Sequence, residues 1–331
     1  MRFFSSMSMM LAPLLLLLVP LCCGVQHCIA QQPLPDLEPN LISADLLQVN
    51  ASGSVDDAVT FCDEVPEPEL TPYKNQFLQN VSLSGGYTGD VGGSGFSGSY
   101  VDVAISTGIP LGSMENILGI RPRVRVDWID ADPAIDVPGE LYDFELLFFN
   151  RYTLTDRLST TAVVSPSLRS DLTTSDHATR LFALGLLNWQ WIPDRLTLSG
   201  GGVYLGRADI AFLPVVGMLW SPSRVTKLDL RFPTSKLSHR IAKDGGRSET
   251  WGFLSAGLGG NTWSITRSNA APDEISLREY NMRLGIERIV DGGGGCFADV
   301  GYAFGRQLEY SSDESVVKLD DAILFRCGWS Y

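Results

Sequence analysis

From Gln76 to the end of the chain, apolar and polar residues alternate with a period of two, interrupted at intervals by clusters of Gly, Pro, Asp and Ser. A period of two is the signature of a strand with one apolar face. It is cleanest at the end, where Ile323, Phe325, Cys327, Trp329 and Tyr331 share one face and Leu324, Arg326, Gly328 and Ser330 the other. The same alternation sets Val101, Val103 and Ile105 against Asp102, Ala104 and Ser106. It sets Ile120, Val124, Val126 and Trp128 against Arg121, Arg123, Arg125 and Asp127, and Tyr142, Phe144, Leu146 and Phe148 against Asp143 and Glu145. Further strands are predicted near 157–171, 178–192, 196–204, 211–220, 224–232, 236–242, 251–267, 280–287 and 298–305. The count is about fourteen, with twelve as the alternative.

The connections carry a second pattern. Short turns at 155–157, 193–195, 221–223, 244–246 and 291–295 alternate with mostly longer, polar connections near 131–139, 172–177, 268–274 and 311–316. Alternating short and long connections mark an antiparallel transmembrane β-barrel, with the short turns on the periplasmic side. An ordinary two-sheet sandwich has no need of them. Fourteen strands also place both ends of the barrel segment on the short-turn side. Several strands approach the ~9–11 residues that cross a bilayer at a tilt. Trp128, Trp189, Trp191, Trp251, Trp263 and Trp329 fall near strand ends, where aromatic girdles belong. A last strand that ends on an aromatic residue, Tyr331, suits lipid contact and engagement by barrel-assembly machinery; these are the expected partners.

The segment ahead of the strands differs. Residues 1–30 read as an export signal, with Arg2, an apolar stretch Leu11–Leu21, and Cys28-Ile29-Ala30 before a cut ahead of Gln31. Leu21 before Cys22 and His27 before Cys28 argue against a lipid anchor; Cys22 before Cys23 leaves it open as the minor alternative. Residues 31–75 are rich in proline and carboxylates and read as a mostly unstructured periplasmic lead-in, the alternative being a plug within the barrel. Residues 76–331 form the barrel. The expected location is the outer membrane of a Gram-negative-type bacterium.

Composition adds little more. The chain has 33 glycines in 331 residues, above the usual ~7%. Inside a soluble strand they are a cost; inside a barrel they keep the lumen roomy. A formal charge of −13, with no basic cluster interleaved with aromatics, excludes nucleic acid as a partner. Of six cysteines, Cys62, Cys296 and Cys327 follow the export segment. Their spacing fits no metal site. Cys296 and Cys327 fall on consecutive strands, as a disulfide or as two small buried thiols.

The residues that carry chemistry are charged ones on inward faces. Arg121, Arg123 and Arg125 share one face of one strand about 7 Å apart. On a lipid-facing wall each costs several kcal/mol, so they are assigned to the lumen. There they form an anion-selective wall or a salt-bridge ladder with Asp143 and Glu145 on the next strand. Arg283, Glu287 and Asp299, with small Gly301, Ala303 and Gly305, are further pore-lining candidates. His177 and His239 are the histidines after the export segment; Ser238 directly before His239 points to the opposite face, so a nucleophile–base pair would have to come from adjacent strands. Asp291 with four glycines lacks the lysine and helix of a phosphate loop and reads as a hairpin turn. No catalytic residue, metal or cofactor is expected. Two classes remain: a passive pore or transporter for small or apolar solutes, and a structural or adhesion barrel without a conducting pore.

Phe212-Leu213-Pro214-Val215-Val216-Gly217, followed by Ser221-Pro222 and Leu230-Arg231-Phe232-Pro233, resembles an uncharacterised family of bacterial outer-membrane β-barrels. Arg283-Leu284-Gly285-Ile286-Glu287, the glycine turn, and Gly301-Tyr302-Ala303-Phe304-Gly305-Arg306 agree. The resemblance covers about residues 200–310 and implies fold and membrane location alone.

Overall fold

The computed structural model describes residues 68–71, 74, 76–112, 116–205, 212–231 and 233–331. The export segment 1–30, most of the lead-in 31–75 and Cys62 lie outside the described residues.

Sixteen strands follow in chain order: β1 (Leu78–Asp90), β2 (Phe96–Pro110), β3 (Ile117–Ala131), β4 (Glu140–Thr155), β5 (Leu158–Ser170), β6 (Thr179–Ile192), β7 (Leu196–Tyr204) and β8 (Phe212–Ser223). Then come β9 (Thr226–Arg231), β10 (Thr234–Asp244), β11 (Ser248–Gly259), β12 (Thr262–Thr266), β13 (Pro272–Val290), β14 (Gly294–Tyr310), β15 (Val316–Lys318) and β16 (Ala322–Ser330). Each strand from β1 to β11 pairs antiparallel with the next, β11 pairs with β13, β13 with β14, β14 with β16, and β16 returns to β1. Fourteen strands thus close a ring, and β12 and β15 stand outside it. Closure leaves no sheet edge unpaired, which is the condition for a sheet to stand in hydrocarbon. Among the described residues no helix is long and apolar enough to cross a membrane.

Two faces follow from the alternation. Val103, Val124, Phe144, Leu187, Leu254, Leu284, Val300 and Phe325 are exposed outward, while Asp102, Arg123, Glu145, Leu186, Ser255, Arg283 and Asp299 are buried inward. The turns at 156–157, 193–195, 224–225, 245–247 and 291–293 share one end of the barrel with the start of β1 and the end of β16. Loops 91–95, 132–139, 171–178, 260–271 and 311–321 share the other. Two connections break the rule: 111–116 is six residues long at the short-turn end, and 232–233 is two residues long at the long-loop end. Outward aromatics gather near both ends. Tyr152, Trp189, Trp191, Trp220, Trp329 and Tyr331 lie toward the short turns, and Tyr87, Tyr204, Phe212, Tyr280 and Tyr302 toward the long loops.

Several expectations change. Trp251 and Trp263 are not girdle residues; both are buried inside. The strand expected over 251–267 bends at Gly260, where φ is +108°; β12 continues on the far side, still paired with β13. Gly305 does not line the lumen. With φ +62° it is part of a bulge in β14 opposite Arg278 and Tyr280, and it shifts the inward face from Ala303 to Arg306, Leu308 and Tyr310. The last ring strand begins at Ala322; Val316–Lys318 is the separate strand β15 on β14. Cys296 and Cys327 are half-buried rather than buried, on paired strands but not opposite each other: Cys296 faces Trp329 and Cys327 faces Ala298.

A Cβ at Gly260 would sit 1.9 Å from the Leu277 carbonyl oxygen, and the backbone there is in the region glycine alone adopts freely. Gly260→Ala is expected to expel β12 from its seat at a cost of roughly 1–3 kcal/mol, leaving the ring intact. The check pairs limited proteolysis, with new cuts in 260–271, with migration of unheated and heated protein on a detergent gel. Unchanged protection of 260–271 would remove the bend's claimed role.

Candidate functional site

The lumen is built tier by tier from the inward faces. On β3, Arg123 stands opposite Ala104 of β2 and Glu145 of β4, and Arg125 opposite Asp102 and Asp143. Register therefore places two arginines among three carboxylates. The Arg123 Nε donates to Asp102, and its Nη1 donates to Glu145 at 3.0 Å and lies 3.7 Å from Asp143. Asp143 is also 3.2 Å from the Arg169 Nε of β5. Arg125 lies 3.8 Å over the Tyr100 ring and donates to Asp127 at 2.9 Å. Arg121 lies one step nearer the short turns, opposite Leu147. Arg123 thus takes the cross-strand ion pairs of the ladder reading, whereas Arg125 donates to Asp127 on its own strand. Three arginines, 123, 125 and 169, meet four carboxylates, at 102, 127, 143 and 145, and all seven side chains are buried, as is Arg121.

The other predicted residues form a second cluster across β13, β14 and β16. Asp299 accepts from Arg326 at 2.8 Å and lies 3.5 Å from Arg283. Glu287 accepts from Lys236 of β10 at 2.8 Å. Between the clusters runs a row of apolar register partners, Phe149, Val163, Leu184, Val203 and Leu213, across β4 to β8. Sequence reading missed Asp102, Arg169, Lys236 and Arg326 as partners. Asp127 was within reach, since it shares Arg125's face two residues on; the others depend on register, which one strand does not reveal.

A short strand crosses the long-loop end. Beyond Gly260, β12 carries the hairpin inward over the mouth. Its five residues pair with β13 on one edge, and on the other Ser264 forms a parallel bridge with Ser170 of β5. β5 and β13 are seven strands apart in either direction round the ring, so β12 reaches from one wall to the opposite one. Asp171 fastens the far side: its backbone N–H donates to the Ser264 carbonyl at 3.2 Å, and its carboxylate accepts from the Thr266 N–H at 2.7 Å. Beside it Thr173 and Thr266 share a hydroxyl bond of 2.6 Å. Trp263 and Ile265 enter an apolar cluster with Phe96, Ile135, Leu141, Ile275, Leu308, Tyr310 and Leu319, drawn from six different segments. Arg267 at the hairpin tip joins three loops, at 3.0 Å from Asp136, 3.2 Å from Asp273 and 3.3 Å from Asp313. Nothing in the alternation announced this lid.

Neither a family model nor a curated protein sequence matches the chain, so the uncharacterised family suggested by the 212–233 and 283–306 motifs finds no support at that level. Among solved structures the chain is similar to the β-domain of the Bordetella autotransporter BrkA, at 9% identity over 77% of this chain and 99% of that one, with a TM-score of 0.38. It is also similar to OccK5 (OpdH) of Pseudomonas aeruginosa, at 11% over 79% and 99% with a TM-score of 0.28. A third likeness is to a mutant of the TodX monoaromatic hydrocarbon channel, at 10% over 78% and 90% with a TM-score of 0.32. At such scores these likenesses carry no argument; the barrel rests on its own strand pairing.

Arg123→Ala leaves Asp102 and Glu145 buried without their shared cation. The expected loss is about 3–5 kcal/mol of unfolding free energy, read by urea titration in vesicles, whereas Arg123→Lys recovers part of it. A loss under 1 kcal/mol would show that water already neutralises the ladder.

The lid has its own pH dependence. Hydrogen bonds from Ser268 and Arg267 hold the Asp136 carboxyl below its ordinary range. Burial opposes ionisation of Asp171, but bonds from Thr173 and Thr266 outweigh it and lower its pKa too. Groups depressed in the folded state contribute stability that is complete above the ordinary value of ~3.9 and is lost as pH falls through their lower folded values. Pepsin is therefore expected to spare 260–271 above that value and to cut there well below it. Cleavage already at mild acidity would contradict the assignment.

Proposed function

We propose that this chain is a transport barrel of the outer membrane of a Gram-negative-type bacterium, a passive path for small or apolar solutes, held shut at its outer mouth by the β12 hairpin. The charged lumen carries the reading. A ring filled for stability alone does as well with apolar side chains, since a buried ion pair is often no better than a well-packed apolar replacement. Two charged clusters beside an apolar row suit a path that admits water or solute when the lid is displaced. The exposed apolar band between two aromatic girdles supports the membrane setting.

The second reading, a structural barrel without a conducting pore, draws on the burial of the ladder: Arg123 is only 3% exposed. Planar-bilayer recording separates the two. Wild type is expected to conduct rarely. Ser170→Cys with Ser264→Cys, oxidised, is expected to abolish openings and to regain them on reduction, while Asp171→Ala is expected to raise the open fraction several-fold. In the open state Arg123→Ala frees carboxylates and shifts the reversal potential in a salt gradient toward cations. If the released and the locked variants are equally silent, the structural reading replaces this one.

A further inference from the structure

The two ends of the barrel differ in charge. The long-loop end is rich in carboxylates, among them Asp130, Asp132, Asp176, Asp313 and Glu314. The short-turn end, along the arc from the β6–β7 turn to the β10–β11 turn, carries Arg195, Arg224, Lys227, Arg240, Lys243 and Arg247 against Asp194, Asp244 and Glu249. Arg195, Arg224 and Arg247 are exposed. Glu249 is shared, 2.8 Å from Arg240 and 3.3 Å from Lys243. Lys227 and Arg240 lie 4.8 Å and 5.9 Å from the ring centre of buried Trp251. The chain as a whole has a net charge of −13, so a basic arc at one end of it is a local arrangement rather than a reflection of composition.

The chain ahead of β1 already runs toward this arc. Lys74 lies 4.2 Å over the Tyr331 ring. Thr71 donates its N–H to Asp291 at 2.7 Å, and its carbonyl accepts from the Gly292 N–H at 3.0 Å, fastening it to the β13–β14 turn. Pro68 packs on the β10–β11 turn, its Cγ 3.0 Å from where a Cβ on Gly246 would stand. Read backward from Lys74, the chain leaves the β16 end, crosses one turn and arrives at the next, with Arg247 beside it. The residues before that point, 31–67, hold eight carboxylates and no Lys, Arg or His.

We propose that the acidic segment 56–67 docks along the basic arc of the β6–β11 turns. Asp63, Glu64 and Glu67 lie within a few residues of the anchor at Pro68. Twelve extended residues span roughly 40 Å, and the β6–β7 turn is four inter-strand steps of about 4.8 Å from the β10–β11 turn. Tethering gives an effective concentration on the order of millimolar, so weak pairing suffices. Contacts between exposed charges are screened within about 8 Å at physiological salt, which makes the docking salt-dependent.

Cys62 lies in the segment and supplies the probe. In the full chain with every other cysteine replaced by serine, Arg224→Cys is expected to form a disulfide with Cys62 under mild oxidant, and Ser311→Cys at the long-loop end is not. The yield at Arg224→Cys is expected to fall about tenfold from low to high salt, and to fall likewise with Arg195→Glu and Arg247→Glu. Retained heat-modifiable migration on a gel shows that each variant holds its ring. Equal yields at both ends, no crosslink at either, or a yield indifferent to salt overturns the proposal. A crosslink present in neutral detergent but absent in bilayers of anionic phospholipid overturns it as well, and assigns the arc to lipid headgroups. Bilayer conductance does not enter this test, so its outcome is separate from that of the transport reading.

Discussion

Every backbone N–H and C=O in hydrocarbon must find a partner within the protein, and for a sheet this means closure into a ring. The whole architecture hangs on the last pairing. β16 must reach β1, and it does so over nine residue pairs from Ser82–Ser330 to Asp90–Ala322. Once the ring shuts, period-two alternation ceases to be a local preference and becomes a division of environments. Leu83 and Trp329 face out together, and Ser84 and Gly328 face in together. Small inward residues at this seam let long side chains from the neighbouring walls occupy the lumen. The rings of Tyr100 on β2 and Phe297 on β14, for instance, stand where side chains at Gly86 and Gly328 would be.

How much of this could be read in advance depended on the range of the interaction. Strand positions follow from period two and from turn residues, both written within ten residues of one another. Expected bounds such as 178–192 and 196–204 therefore lie close to the observed 179–192 and 196–204. The inward face of β3 was legible because three arginines on a lipid face are prohibitive. Their partners were legible only across the nearest connection. Glu145 was identified because β4 follows β3, and Asp102 was not, although it accepts from the same Arg123. Pairing on both sides is a property of register, and a slip of one residue would invert the face.

The lid was illegible for a different reason. Residues 262–266 read as the end of a long strand because Trp263 and Ile265 alternate with Thr262 and Ser264 as a wall strand would. In the structure both faces of β12 are buried: Thr262 and Ser264 are 1% exposed, Ile265 0%. The alternation was real and its interpretation wrong, because the apolar side meets a cluster of loops rather than lipid. One local sign existed. Gly259-Gly260 interrupts the pattern, and glycine inside a strand marks a bend or a close approach. Gly260 is both, with its positive φ and the Leu277 carbonyl against its Cα. The bridge to Ser170, ninety-four residues earlier, left no trace in composition.

The bend and the bulge divide the long hairpin by function. Below Gly260 and Gly305, β11, β13 and β14 are wall: twelve register pairs join β11 to β13, with Met282, Leu284 and Ile286 exposed outward. Above them the same strands become lid, and Ile275, Leu308 and Tyr310 turn into the apolar cluster. The hinge is thus continuous with the wall on one side and held by a single bridge and a few polar bonds at β5 on the other. That asymmetry fixes which contact breaks first. The β12–β13 pairing is five residues long and backed by covalent continuity at both ends. The β5 side rests on one bridge, on Asp171, on two threonine hydroxyls, and on the bonds from Ser264 to the Asp176 carbonyl and from Arg169 to Asn261. A displacement of the lid that preserves the ring therefore begins at β5 and swings about Gly260, uncovering first the Arg169–Asp143 pair beside Ser170.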